Sequence, residues 1–173
     1  MYKRQTEYYV LIDATAFDDS ESGSYAGISS TTALSFTTAN AVPTLSSSVP
    51  ADNATSVAVD STIVLNFSEN VDAESGNITI KKTSDNSTVE TIDVTSGQVT
   101  GSGTSQITVT PSSDFDSATE YYVLIDATAF DDSDSCSYAG ISSTTALSFT
   151  STNPVPTLSS SVPADNATGV AVD

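Results

Sequence analysis

The chain has 173 residues, with 22 Asp and Glu against 4 Lys and Arg, no His, and a formal net charge of −18. That balance repels phosphate backbones and anionic bilayers, which excludes nucleic acid and acidic membranes as partners. A single Cys, the absence of His, and the lack of an apolar run near the ~18 residues of a membrane span exclude a disulfide framework, a Cys/His metal site, an imidazole base and membrane insertion of this segment.

Residues 1–5 read MYKRQ. They match the translation of a transposon end used to prepare sequencing libraries, so they are expected to be an assembly scar on a metagenomic fragment and to carry no fold information. From Thr6 onward the chain reads TEYYVLIDATAFDDSESGSYAGISSTTALSFT, and this stretch returns at Thr119–Thr150 as TEYYVLIDATAFDDSDSCSYAGISSTTALSFT. The correspondence runs from Thr6–Asp60 onto Thr119–Asp173 at an offset of 113 residues. It has six differences: Glu21/Asp134, Gly23/Cys136, Thr38/Ser151, Ala39/Thr152, Ala41/Pro154 and Ser56/Gly169. A solenoid repeats every ~20–50 residues, whereas this offset is the length of a small domain. The chain therefore divides into the C-terminal hairpin of a preceding repeat (6–38), a linker (39–43), a complete domain (44–152), and a linker with the start of the next repeat (153–173). Cys136 falls where the other copy has Gly23, so it is no structural half-cystine.

Within 44–152 the apolar residues alternate with period two. After the turn Pro50–Asn53, Val57 and Val59 predict a short first strand. Ser61–Phe67 places Ile63, Leu65 and Phe67 on one face, and Asn77–Lys81 does so with Ile78 and Ile80. Val89–Val94 has Ile92 and Val94 in phase and Val89 out of phase, which predicts a bulge or an edge strand. Gln106–Thr110 contributes Ile107 and Val109. Glu120–Asp126 contributes Tyr121, Val123 and Ile125, and Ala146–Thr150 contributes Leu147 and Phe149. No stretch shows helical periodicity. About seven short strands in a domain of this length predict an all-β fold, an antiparallel Ig-like β-sandwich.

The segments SSVPADNATSVAVDSTIVLNFSENVD, GNITI, ITVTP, ATEYYVLI and LSFT together resemble the bacterial Ig-like domain of the SbsA-like type. That family occurs in S-layer proteins and large repetitive surface adhesins. The resemblance spans Leu45–Thr150 and implies an extracellular, cell-surface setting. The chain departs from the family in the long acidic loop AFDDSDSCSYAGISS before the last strand, where many relatives carry an Asp followed by Gly-Asn.

With strands named A to G, alternation of direction places the B–C loop (68–76) and the F–G loop (127–144) at the N-terminal pole. The A–B turn with Asp52, the C–D loop, and the E–F loop with Asp114 and Asp116 fall at the opposite pole. In an array, Glu69, Asp72, Glu74, Asp131, Asp132 and Asp134 then approach the far pole of the preceding domain. Like charges at such a junction either spread into solvent or gather around a hard cation. Asp131, Asp132 and Asp134 with Asp72 are the candidate Ca²⁺ ligands. Tyr121, just after the turn Asp114–Ala118, stands where a tyrosine corner would, its hydroxyl tied back to the backbone. Lys81 and Lys82 are the only Lys that could form an isopeptide crosslink, and strand-end Lys is more commonly a solvent-facing edge guard.

Catalysis has no foothold: there is no His, Cys136 has no partner base, and no nucleophile-elbow motif occurs. The chain is expected to be a non-enzymatic spacer or stalk unit of an extracellular bacterial surface protein or adhesin. Its partners would be neighbouring copies of the same repeat. The alternative is a module that grips a cell-surface glycan or protein ligand with its B–C and F–G loops. The hairpin 6–38, without strands A to E, is expected to be the least ordered part or to pair with exposed edges of the complete unit.

Overall fold

The structure, a computed structural model, describes residues 6–153 and 155–170. Residues 1–5, expected to be an assembly scar, Pro154 of the second linker and residues 171–173 lie outside the described residues. The described residues contain twelve strands and no helix. In chain order the strands are β1 (Glu7–Tyr9), β2 (Ser35–Thr37), β3 (Leu45–Val49), β4 (Ala54–Val57), β5 (Ile63–Ala73), β6 (Asn77–Lys82), β7 (Thr88–Asp93), β8 (Val99–Thr100), β9 (Thr104–Val109), β10 (Glu120–Ile125), β11 (Phe130–Asp131) and β12 (Ser148–Ser151).

Strands β3 to β12 build a two-layer sandwich. One sheet has the order β4-β12-β10-β6-β7. The other has the order β11-β5-β9-β8, with β3 also paired to β5. Among the described residues the ladders are antiparallel except β4 with β12. The two inner faces meet in a core of Ile63, Leu65, Phe67, Ile78, Ile80, Ile107, Val109, Tyr121, Val123, Ile125, Leu147 and Phe149, all buried. These residues are the inward members of the period-two runs, so the alternation in the sequence translates directly into the packing. Two aromatic groups sit in the core. Phe115, Tyr121 and Phe149 pack with ring centroids 4.8–5.7 Å apart. Phe67 packs against Phe130 at 5.4 Å and against Tyr138 at 5.2 Å.

Four expectations are corrected by the structure. The first strand is not confined to Val57 and Val59. It is split into β3, which pairs with β5, and β4, which runs parallel to β12. The Ser-rich β3 (LSSSV) sits at an edge with mostly exposed side chains, so it carries almost no hydrophobic pattern. Residues 68–76 are not all loop, because β5 continues to Ala73. A register shift between Asn66 and Val71 absorbs the extra residues and lets fully buried Val71 pair with Thr104. The 127–144 segment is also no free loop, since Ala129, Phe130, Tyr138 and Ile141 are buried and β11 pairs with β5. Finally, Asp52 is not at the far pole. Its carboxylate accepts the backbone N–H of Ser148 at 2.9 Å, beside the start of β12, and Ser148 stands opposite Tyr122 in β10.

Other expectations hold. β7 is a sheet edge, and its register passes from Ile80↔Glu90 to Lys81↔Thr88, which leaves Val89 as the bulged residue. This places Val89 outward at 43% exposure and keeps Ile92 in the core. Tyr121 forms the tyrosine corner, its hydroxyl accepting the N–H of Asp116 at 2.8 Å.

The hairpin of the earlier copy reproduces the later one pair for pair. Glu7↔Thr37, Tyr8↔Phe36 and Tyr9↔Ser35 correspond to Glu120↔Thr150, Tyr121↔Phe149 and Tyr122↔Ser148. The bridges Ile12↔Ile28 and Asp18↔Ser24 correspond to Ile125↔Ile141 and Asp131↔Ser137. What differs is cover. Tyr8, Phe17 and Phe36 are 49%, 62% and 55% exposed, while Tyr121, Phe130 and Phe149 are at most 1% exposed. The local sequence is enough to set the hairpin register, and the facing sheet supplies the burial.

Candidate functional site

The 127–144 segment leaves β10 at Ile125 and returns to it through the Ile125↔Ile141 bridge. The return needs Gly140, at φ +75°, because a Cβ there would lie 2.4 Å from the carbonyl oxygen of Ile125. Beyond this closure, Phe130 and Tyr138 anchor the segment on Phe67, and burial pushes the Tyr138 phenol above its ordinary range. The B–C connection is tied to it by the N–H groups of Glu74 and Ser75, which donate to the carbonyls of Ala129 and Thr128. The acidic tip is therefore held on a rigid base.

The four candidate calcium ligands fall into two groups. Asp72 and Asp131 stand opposite each other in the β5–β11 ladder. Burial, followed by the negative charges of Glu74, Asp72 and Asp132, holds the Asp131 carboxyl above its ordinary range. Asp132, only 6% exposed, turns into its own loop. Its Oδ1 accepts the N–H groups of Asp134 at 2.9 Å and Cys136 at 2.8 Å. Asp134 is exposed. Glu69, from the middle of β5, is raised by burial first and then by Asp132 and Asp134. Among the described residues no group of three or more His, Cys, Asp or Glu side chains is arranged to hold a metal ion.

A residue absent from the sequence reading completes the site. Asn40, in the linker, donates from Nδ2 to Asp132 Oδ2 at 2.9 Å and to Cys136 Sγ at 3.2 Å. One signal for it was present in the sequence: Asn40 and Asn153 are identical in linkers whose flanking residues differ. The Asp132 loop is an Asx-type turn, the carboxylate capping N–H groups two and four residues further along the chain. At the other pole Lys82 pairs with Asp116 at 2.6 Å, and that hydrogen bond, reinforced by the Asp116 charge, raises the Lys82 pKa. Both partners are partly or largely solvated, so the pair contributes little to stability.

The geometry is that of a sandwich with its first strand shared between sheets, a tyrosine corner and a closed F–G segment, which defines an Ig-like domain. A family model described as bacterial Ig-like domain matches residues 39–151, and the chain belongs to that family. Two solved structures are similar. One is the crystal structure of the S-layer protein rSbsC(31-844), at 19% identity and a TM-score of 0.42, covering 68% of this chain and 14% of that one. The other is the crystal structure of the N-terminal part of the bacterial S-layer protein SbsC, at 20% identity and a TM-score of 0.44, covering 68% and 25%. The chain thus spans a quarter or less of either structure. A comparison with curated proteins finds no match. No helix among the described residues is long and apolar enough to cross a membrane.

Proposed function

We propose that this chain is part of a tandem array of bacterial Ig-like domains that serves as a spacer or stalk in an extracellular surface protein or adhesin, and that it is not an enzyme. The observation that carries the reading is the second hairpin. Residues 6–38 repeat the register of 119–151 pair for pair, and their exposed Tyr8, Phe17 and Phe36 correspond to core residues Tyr121, Phe130 and Phe149. Such a hairpin is a domain end whose remaining strands belong to a preceding copy. An array of near-identical units supplies reach and stiffness. The strong negative charge keeps it extended and soluble.

The alternative, a module that grips a glycan or protein ligand with its B–C and F–G loops, has less support. Those loops are tied to each other and to the core through Glu74, Ser75, Phe130 and Tyr138, which leaves short exposed stretches such as Ser133–Ser135 and Ser142–Thr144 for a ligand. Sequencing outward along the gene tests the array. Further copies at the 113-residue spacing are expected on at least one side, and unrelated sequence on both sides would contradict the reading. Glycan-array binding by this chain, abolished by substituting Ser133–Ser135, would favour the binding module.

A further inference from the structure

Two of the six differences between the copies fall in the linker 39–43 and its later counterpart, at Ala39/Thr152 and Ala41/Pro154, and a third, Thr38/Ser151, lies immediately before it. Between them Asn40 and Asn153 are the same. Asn40 is half-buried, and its amide reaches Asp132 Oδ2 and Cys136 Sγ. Asp132 is nearly buried, and its Oδ1 is already occupied by two backbone N–H groups of its own loop. A carboxylate so withdrawn from water needs a donor on its second oxygen, and Asn40 supplies it. The linker is seated at two further points. Pro43 is buried, and Thr44 exchanges hydrogen bonds with Ser68, its N–H donating to Ser68 Oγ at 3.0 Å and its carbonyl accepting the Ser68 N–H at 2.9 Å.

The receiving loop forms without the linker. In the earlier copy Asp19 Oδ1 accepts the N–H groups of Glu21 at 2.9 Å and Gly23 at 2.7 Å, and the Asp19 N–H donates to the Gly23 carbonyl at 2.9 Å. This is the same closed turn as Asp132 with Asp134 and Cys136. The preceding copy therefore presents a preformed acceptor.

We propose that Asn40 is a latch that seats the linker in the F–G loop of the domain it leads into, and that Asn153 docks in the same way on the Asp-centred loop of a following copy. The partner surface is a second copy of this repeat, and the bond is an amide donor on a buried carboxylate. Successive domains are then joined at a set angle, and the junction is not a free hinge. The inference rests on the tandem-array reading.

The test uses the full 173-residue chain, labelled with ¹⁵N, as wild type, Asn40→Ala and Asn40→Asp. Backbone order parameters for residues 39–42 are expected near the rigid value of about 0.85 in the wild type and below about 0.6 in both variants. Asn40→Asp is expected to be the looser variant, because it sets a second carboxylate against Asp132. Amide protection at Tyr121 and Val123 must be unchanged, which shows that the domain remains folded. A wild-type linker already below about 0.6, or an Asn40→Ala linker as rigid as the domain, overturns the latch. Neither outcome touches the array reading, which stands or falls on the flanking copies.

Discussion

The Tyr121 hydroxyl accepts the backbone N–H of Asp116 at 2.8 Å, which ties the E–F turn to the strand that follows it. Its ring is fully buried between Phe115 and Phe149, so the corner joins a polar tie to an aromatic cluster. Tyr121→Phe keeps the rings and leaves the Asp116 N–H without this acceptor. A loss of about 1–3 kcal/mol is expected in urea unfolding, with an unchanged m-value. Tyr8→Phe, the same change in the exposed hairpin, is expected to shift the midpoint by less than about 0.5 kcal/mol.

Phe130 lies in what the sequence presents as a loop, yet it is fully buried against Phe67. Phe130→Ala is expected to destabilise by about 3–5 kcal/mol, as for other buried aromatics. Phe17→Ala, at the equivalent exposed position, is expected to be near neutral. Equal effects at the two sites, read by thermal or urea unfolding, would show that the hairpin 6–38 is buried in solution.

The titrations at the acidic pole and at the β7 edge have opposite signs. Asp131 and Glu69 have raised folded pKa values, so the folded state holds protons that the unfolded chain has already released. Their penalty is complete at neutral pH and is relieved as pH falls from the folded pKa toward the ordinary carboxylate value. Glu90 behaves oppositely. Burial pushes it up, but hydrogen bonds from Gln98 and Ser112 prevail and lower it, so its contribution is lost as pH falls below the ordinary Glu range. Stability is therefore expected to peak on the acid side of neutrality. Asp131→Asn should raise stability at pH 7 and reduce the gain on acidification. A variant with the wild-type pH profile in urea unfolding would contradict this.

The same repulsion sets the response to cations. Asp72 faces Asp131, while Asp132 is occupied by its own loop and by Asn40. Ions should act by screening. Millimolar CaCl₂ and NaCl of equal ionic strength are expected to raise the melting temperature equally. A calcium-specific rise that a chelator reverses would show that Asp72, Asp131, Asp132 and Asp134 do gather around an ion.

Much of the sandwich was legible because burial in this fold follows period-two alternation. The inward residues of β5, β6, β9, β10 and β12 were readable from Ile63 to Phe149, and the bulge at Val89 was readable from its broken phase. Elements held by backbone pairing alone were not. β3 buries little, so Leu45–Val49 has no apolar signature. The continuation of β5 to Val71 lies beyond a bulge that interrupts the alternation. Phe115 and Tyr138 enter the core from connections and Phe130 from the two-residue β11, where no periodicity announces them. Of the candidate site, the acidic residues were visible as composition. Their division into a repelling pair and a capped loop, and the part played by Asn40, depend on which carboxylate oxygens face donors, and that only the folded chain shows.

If 6–38 is the end of a domain identical in kind to 44–152, as proposed above, supplying its missing strands should bury it. Placing residues 39–118 directly before Thr6 restores the missing strands, because Thr6 follows Ala118 in register just as Thr119 does. Amide hydrogen exchange on this extended chain is the direct measurement. Tyr8, Val10 and Phe36 are expected to become as protected as Tyr121, Val123 and Phe149, so that two cooperatively folded units are present. A hairpin that exchanges as freely in the extended chain as in the present one would contradict it.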